Sequence, residues 1–194
     1  LAGQVPVAEL NRLIYAGLHR TFDDDELTSI MDALIARDGG VAIALGILEM
    51  RMLEPGRDAP SGHLLACSSQ ALMRWEFAET DDSSRRAASK VAGLALSTGR
   101  MDVAEVLCQR FVVWAKGSHG WLYQQNDMLE TLFRHAPKVA LTMLLENSID
   151  GRELLREAKR FDSPAAIAHL SVTAALEWVQ EKPSRYAMLA DVSS

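Results

Sequence analysis

The chain has 194 residues, of which 48% are hydrophobic and 24% are charged, and its net charge is -6 at pH 7. This composition excludes an intrinsically disordered chain, and no apolar run approaches the ~18 residues that a membrane span requires. The negative charge also argues against broad nucleic-acid binding, which needs a concentrated positive surface. We therefore expect a soluble, cytoplasmic protein. Because the sequence opens without Met, we expect a piece of a longer, bacterial-type protein.

The first predicted elements are two amphipathic helices, in which apolar residues recur at helical spacing. The stripes are Val7, Leu10, Ile14 and Leu18 in the first helix, and Leu27, Ile30, Met31, Leu34 and Ile35 in the second. Asp23 and Glu26 have the spacing of a capping box at the start of the second helix. The acidic run 23–25 is thus explained by the helix dipole rather than by a metal site.

The next run, Val41 to Leu48, is continuously apolar and is ambiguous between a buried strand and a helix. Its continuation to Leu53 favours a buried helix. Residues 54–62 are rich in Pro and Gly, which predicts a mobile loop or a subdomain seam. Further stripes are Leu64, Cys67, Ala71, Leu72 and Trp75, then Val103, Val106, Leu107, Phe111 and Trp114. Later helix starts are predicted at Pro137, at Asp150 with Glu153 as a second capping box, at Ser163-Pro164 and at Pro183.

One phrase, a helix end followed by a breaker and a helix start, recurs along the chain. Its copies are residues 33–45, 95–107, 131–144 and, more faintly, 160–170. The equivalent apolar positions are Val41, Val103, Val139 and Ile167. The period is roughly 30 to 35 residues if the first interval holds two units, which is typical of helix-hairpin repeats.

These hinge phrases resemble those of HEAT-like α-solenoid proteins. Helical periodicity without sustained strand alternation predicts an all-α fold of about ten helices, and the length favours one domain over residues 1–194. The resemblance implies that these helices form a right-handed array of antiparallel pairs. It also implies a concave face that recognises a protein or peptide, and it carries over no catalytic residue, cofactor or metal.

Catalytic and metal-binding motifs are scarce in the sequence. There is no Gly-rich phosphate loop, nucleophile elbow, His-Glu-x-x-His or Cys-x-x-Cys. His63 and Cys67 have helical spacing, but further ligands are lacking nearby. Cys67 and Cys108 lie in apolar stripes and are expected to be reduced and buried.

Two segments are candidate partner-binding surfaces. The helix predicted over 151–161 places four basic residues on one face, Arg152, Arg156, Lys159 and Arg160. This face is either simply solvated or binds an acidic protein, with nucleic acid a weaker alternative. The stretch 114–126 places Trp114, Trp121 and Tyr123 beside a glycine-bracketed loop, where they serve either as core or as a binding hot spot.

The sequence favours a non-enzymatic protein-protein interaction module, a scaffold or sensor whose partner is a protein or peptide. The alternative is a helical enzyme domain that binds nucleic acid or a small ligand, with a site assembled only in three dimensions. A homodimerising structural module is a third interpretation.

Overall fold

The structure, a computed structural model, describes residues 22–52, 60–76, 82–117 and 126–170 together with a few isolated positions. These ranges contain nine helices and no strand, which confirms the predicted all-α class. The helices are α1 (Asp24–Ile35), α2 (Gly40–Met52), α3 (Gly62–Arg74), α4 (Asp82–Ser97), α5 (Met101–Gly117), α6 (Asn126–His135), α7 (Pro137–Glu146), α8 (Gly151–Arg160) and α9 (Pro164–Leu170). None of these helices is both long enough and apolar enough to cross a bilayer.

All four hinge phrases fall at connections between consecutive helices, as predicted. The connections are short: residues 36–39, 98–100, 136 and 161–163. The ambiguous apolar run from Val41 to Leu48 lies entirely in α2 and is therefore helical. The predicted helix from Val7 to Leu18, and most of the breaker at 54–62, fall outside the described residues.

The start of α1 is fixed by the predicted capping box. The backbone N–H of Glu26 donates to Asp23 Oδ1 at 2.9 Å, and the backbone N–H of Asp23 donates to Glu26 Oε2 at 3.2 Å. These reciprocal bonds satisfy donors that a helix start leaves without intrahelical partners. The stripe that follows is buried at Leu27, Met31, Leu34 and Ile35, and half-buried at Ile30.

The chain divides into two compact units, Leu1–Val103 and Ala104–Ser194. In the first unit, α1 packs against α2 and α3, α2 against α3 and α4, and α3 against α4. Thus α1 and α2 each contact the next helix and the one after it. The core between them consists of apolar side chains that are almost fully buried, among them Leu27, Met31, Leu45, Leu48, Leu64, Leu72 and Val91.

A partly buried ion pair ties three helices of the first unit together. Arg51 near the end of α2, whose side chain is 4% exposed, donates through Nε and Nη2 to Asp24 Oδ1 at 2.9 and 2.6 Å. Asp24 Oδ2 accepts from the backbone N–H of Ser61, the N-cap of α3, at 3.3 Å. Burial raises the pKa of the Asp24 carboxyl, but the hydrogen bonds from Arg51 and Ser61 and the charge of Arg51 outweigh it, so the pKa lies below its ordinary value.

The first unit also brings two backbones into close approach at the α1–α2 connection. A Cβ added to Gly40 would lie 1.9 Å from the carbonyl oxygen of Leu34. No other residue type fits there without moving the backbone, and the preceding Gly39 has a positive φ of 70°. The pair of glycines therefore fixes the turn between α1 and α2.

In the second unit, α6 packs against α7, α8 and α9, while α9 also packs against α7 and α8. Phe133 of α6 is fully buried and meets Phe161 edge-on, with ring centroids 6.2 Å apart. Ser163, predicted as an N-cap, accepts the Ile167 N–H through its backbone carbonyl, but its hydroxyl donates to the Phe133 carbonyl at 3.1 Å. That hydroxyl therefore links the start of α9 to the last turn of α6.

Candidate interaction surface

Helix α8 is the element that separates a charged face from an apolar face most sharply. Asp150 caps its start and accepts the backbone N–H of Arg152 at 2.8 Å, as expected for an N-cap. The predicted capping box is not completed by Glu153, whose carboxylate lies 3.8 Å from Arg156. Leu154 and Ala158 are fully buried and anchor the opposite face.

The four basic residues predicted to share a face do lie together on α8. At 100° per residue, Arg152, Arg156, Lys159 and Arg160 fall within an arc of roughly 100°, away from the buried side. The three arginines are exposed and Lys159 is half-buried. These residues form a cationic surface, which we call the basic face.

The arginines of the basic face differ in how they are held. Within the described part of the chain, the Arg152 side chain makes no ion pair. Arg156, 56% exposed, lies 3.8 Å from Glu153 and 3.7 Å from Glu157, too far for hydrogen bonds. Arg160, 43% exposed, lies 3.2 Å from Glu157 Oε2 and 4.9 Å from the centroid of the Phe161 ring.

Glu157 is the functional candidate that sequence reasoning missed. Its side chain is 2% exposed, yet it carries a carboxylate that contacts Arg156 and Arg160 from beneath the basic face. Its Oε2 approaches Arg160 at ion-pair distance without hydrogen-bond geometry, and no other group among the described residues donates to this oxygen. The spacing of Glu157 and Arg160, three residues apart, signalled a helical pair. The burial of Glu157 depends on tertiary packing, and nothing in the neighbouring sequence predicts it.

Comparisons with protein-family models, with curated proteins and with solved structures found no match to this chain.

The predicted aromatic candidates are placed only in part. Trp121 and Tyr123 lie outside the described residues. Trp114 is half-buried on α5 and packs against buried Phe111, with ring centroids 5.8 Å apart. Its neighbour Val113 is 74% exposed. Trp114 therefore lies at the boundary of core and surface, a position that fits both a core residue and a binding hot spot.

The described thiols and imidazoles are not brought together. Burial, followed by the influence of Asp32, raises the pKa of Cys67 to about 12, and burial with the charge of Glu105 raises the pKa of Cys108 to about 12. Both thiols are thus protonated at neutral pH. His63 is exposed and contacts Asp25 at 3.1 Å instead of joining buried Cys67.

The remaining described histidines occupy separate settings. His135 ends α6 half-buried, where burial and then the charge of Arg134 lower its pKa, while His169 is exposed on α9. Across the described ranges, no three His, Cys, Asp or Glu side chains form a group that could hold a metal ion.

Proposed function

We propose that this chain is a non-enzymatic protein-protein interaction module that serves as a cytoplasmic scaffold or sensor. Its partner-binding surface would be the basic face of α8. The observation that carries the proposal is that three arginines stand exposed along one side of a helix whose other side is anchored in the core. Arginines held on a rigid element are well suited to binding carboxylates, because the guanidinium presents several donors in a fixed fork.

The packing of the first unit supports a repeat architecture for the module. The contacts of α1 and of α2 with the next helix and with the second next are the pattern that stacked helix hairpins produce. We therefore propose a right-handed, HEAT-like solenoid arrangement for this unit. In the second unit, contact between α6 and α9, three helices apart, closes four helices into a cluster and departs from a strict repeat.

The charge balance supports a protein partner over nucleic acid. The chain as a whole carries -6, and the basic face is bordered by Glu153 and Glu157. A phosphate backbone binds where cations neutralise many phosphates at once, and a narrow row of three or four cations in an acidic protein gives little of that neutralisation. A short acidic segment of a protein carries few charges, so a row of three or four cations is enough to bind it.

The proposal is tested by affinity capture with the full chain immobilised, using extract from cells of the source organism. Wild type is compared with R152E/R156E and with R134E/K138E, a control with the same net charge whose exposed reversals lie on α6 and α7. We expect proteins that wild type and the control enrich and the α8 variant loses. Identical capture by all three proteins would contradict the proposal, as would tight oligonucleotide binding that falls steeply with salt.

The aromatic stretch is tested separately with Trp121→Ala and Tyr123→Ala. If these residues form part of the binding surface, capture weakens while the melting temperature stays nearly unchanged. A large loss of thermal stability would instead assign them to the core.

A further inference from the structure

Three of the basic-face residues form a regularly spaced row. Arg152, Arg156 and Arg160 are four residues apart on α8. With a rise of 1.5 Å per residue, they stand ~6 Å apart along the helix axis and span ~12 Å. Each step turns by only about 40°, so all three stay on one side of the helix. We call these three residues the arginine row.

The donors of the arginine row are largely uncommitted within the described part of the chain. Arg152 has no ion-pair partner there, and the contacts of Arg156 with Glu153 and Glu157 exceed hydrogen-bond length. Arg160 Nη1 lies 3.2 Å from Glu157 Oε2 without a hydrogen bond to it, and a guanidinium has five N–H donors. Each arginine can therefore receive an external carboxylate while the helix remains as it is.

The acidic residues of α8 restrict how a partner approaches. Glu153, whose side chain is 38% exposed, borders the arginine row on one side only, while Glu157 lies buried beneath the row. The charge of Glu157 and the ring of Phe161 favour the observed orientation of Arg160, which reduces the entropy lost on binding. A wide acidic surface would meet the carboxylate of Glu153 and be repelled, whereas a single line of carboxylates would not.

On the premise that α8 is the partner-binding surface proposed above, we infer that the arginine row recognises a protein segment whose acidic side chains recur about 6 Å apart. One face of an acidic helix, with carboxylates at positions i, i+4 and i+8, has this spacing. Each carboxylate then faces one guanidinium, in register. Charge alone would not distinguish such a segment from any other acidic peptide, so register is the property to test.

The test uses two alanine-rich peptides of about 17 residues with blocked ends, long enough to form a helix. The row peptide carries three Glu at i, i+4 and i+8. The scattered peptide has the same composition, with its three Glu on different sides of the helix. Binding of each to the full chain is measured at low and at physiological salt, by fluorescence anisotropy, for wild type, R152E/R156E and R134E/K138E.

The inference predicts that wild type binds the row peptide more tightly than the scattered peptide, by roughly two- to fivefold for each arginine engaged. R152E/R156E should lose at least about tenfold in affinity for the row peptide, because two attractions become repulsions, while the control variant retains it. Circular dichroism and thermal melting establish that both variants fold.

Equal binding of the two peptides would overturn the inference and leave the interaction module intact, since capture of proteins would still depend on α8. No binding of either peptide at low salt would overturn it as well. A single-stranded oligonucleotide that binds more tightly than the row peptide, with a steep salt dependence lost in R152E/R156E, would overturn both proposals together.

Discussion

The bond from Ser163 to the Phe133 carbonyl should carry a measurable share of the stability of the second unit. In α6 the carbonyl of Phe133 would ordinarily accept the N–H of residue 137, but that residue is Pro and has no N–H. Ser163 Oγ donates to this carbonyl at 3.1 Å in a buried setting. Ser163→Ala therefore leaves a buried carbonyl without its donor, which costs about 1–3 kcal/mol of unfolding free energy.

Urea unfolding followed by far-UV circular dichroism measures this loss, and Ser69→Ala is the matched control. Ser69 is also buried, and its hydroxyl donates to the Leu65 carbonyl at 3.0 Å. That carbonyl already accepts a helical N–H in the middle of α3, so it keeps a hydrogen bond when the hydroxyl is removed. We expect Ser69→Ala to change stability by less than about 0.5 kcal/mol. Equal losses of unfolding free energy in the two variants would refute the argument that the Phe133 carbonyl depends on Ser163 because Pro137 has no N–H.

Three further predictions concern glycine packing, a left-handed residue and the partly buried ion pair of Asp24 and Arg51. Gly40→Ala should destabilise the protein by roughly 3 kcal/mol or more, because its Cβ would lie 1.9 Å from a carbonyl oxygen of α1. In the same helix, a Cβ at Gly46 meets nothing within 4 Å, so Gly46→Ala should stabilise the protein by up to about 1 kcal/mol. Chemical denaturation compares the two variants. Ser148→Gly should stabilise by about 1 kcal/mol in the same assay, since Ser148 is exposed with a φ of 65°, and no gain would contradict the strain argument. Because the folded pKa of Asp24 is lowered, its pairing with Arg51 stabilises the protein above the ordinary pKa of 3.8 and is lost as the pH falls through the folded pKa. Asp24→Asn should therefore cost about 1–3 kcal/mol near neutral pH and less in acid, and a cost that is independent of pH would oppose this account.

Features set by neighbouring residues could be predicted from the sequence. The capping box of Asp23 and Glu26 needs only their spacing, and the structure contains both of its bonds. The helix boundaries at the hinge phrases could also be predicted, because Gly, Asp or Pro between two apolar stripes ends one helix and starts another. At Asp150 the N-cap was predicted correctly, but the partner N–H belongs to Arg152 and Glu153 does not reciprocate. Which of two nearby donors a carboxylate takes depends on the exact entry of the chain, which spacing does not determine.

Contacts between distant residues could not be predicted in the same way. Asp24 was interpreted through the helix dipole alone, and its partner Arg51 lies 27 residues away. Ser163 was interpreted as a cap, while its hydroxyl reaches a carbonyl 30 residues earlier. In both cases the local pattern is satisfied equally well with or without the long-range bond. Only the packing of the helices decides which partner comes within reach.

Only part of the candidate surface could be predicted from the sequence, because the rest depends on contacts between distant residues. Helical periodicity places the arginine row on one face, and the structure puts the apolar residues Leu154 and Ala158 on the buried side. The burial of Glu157, which lies within 4 Å of Arg156 and Arg160, follows from the packing of α8 against α6 and α9. No spacing rule would separate a buried glutamate from a solvated one.

A charge swap across the interface tests the central claim most directly. The affinity of R152E/R156E is measured for a peptide that carries only two Lys, at i and i+4, with Ala in place of the third Glu so that no cation faces Arg160. R134E/K138E is the protein of equal net charge. We predict that R152E/R156E binds this peptide and the control variant does not, because only the α8 variant presents matching carboxylates in register. Equal binding of the lysine peptide by both variants, or binding by neither, would contradict recognition through the arginine row.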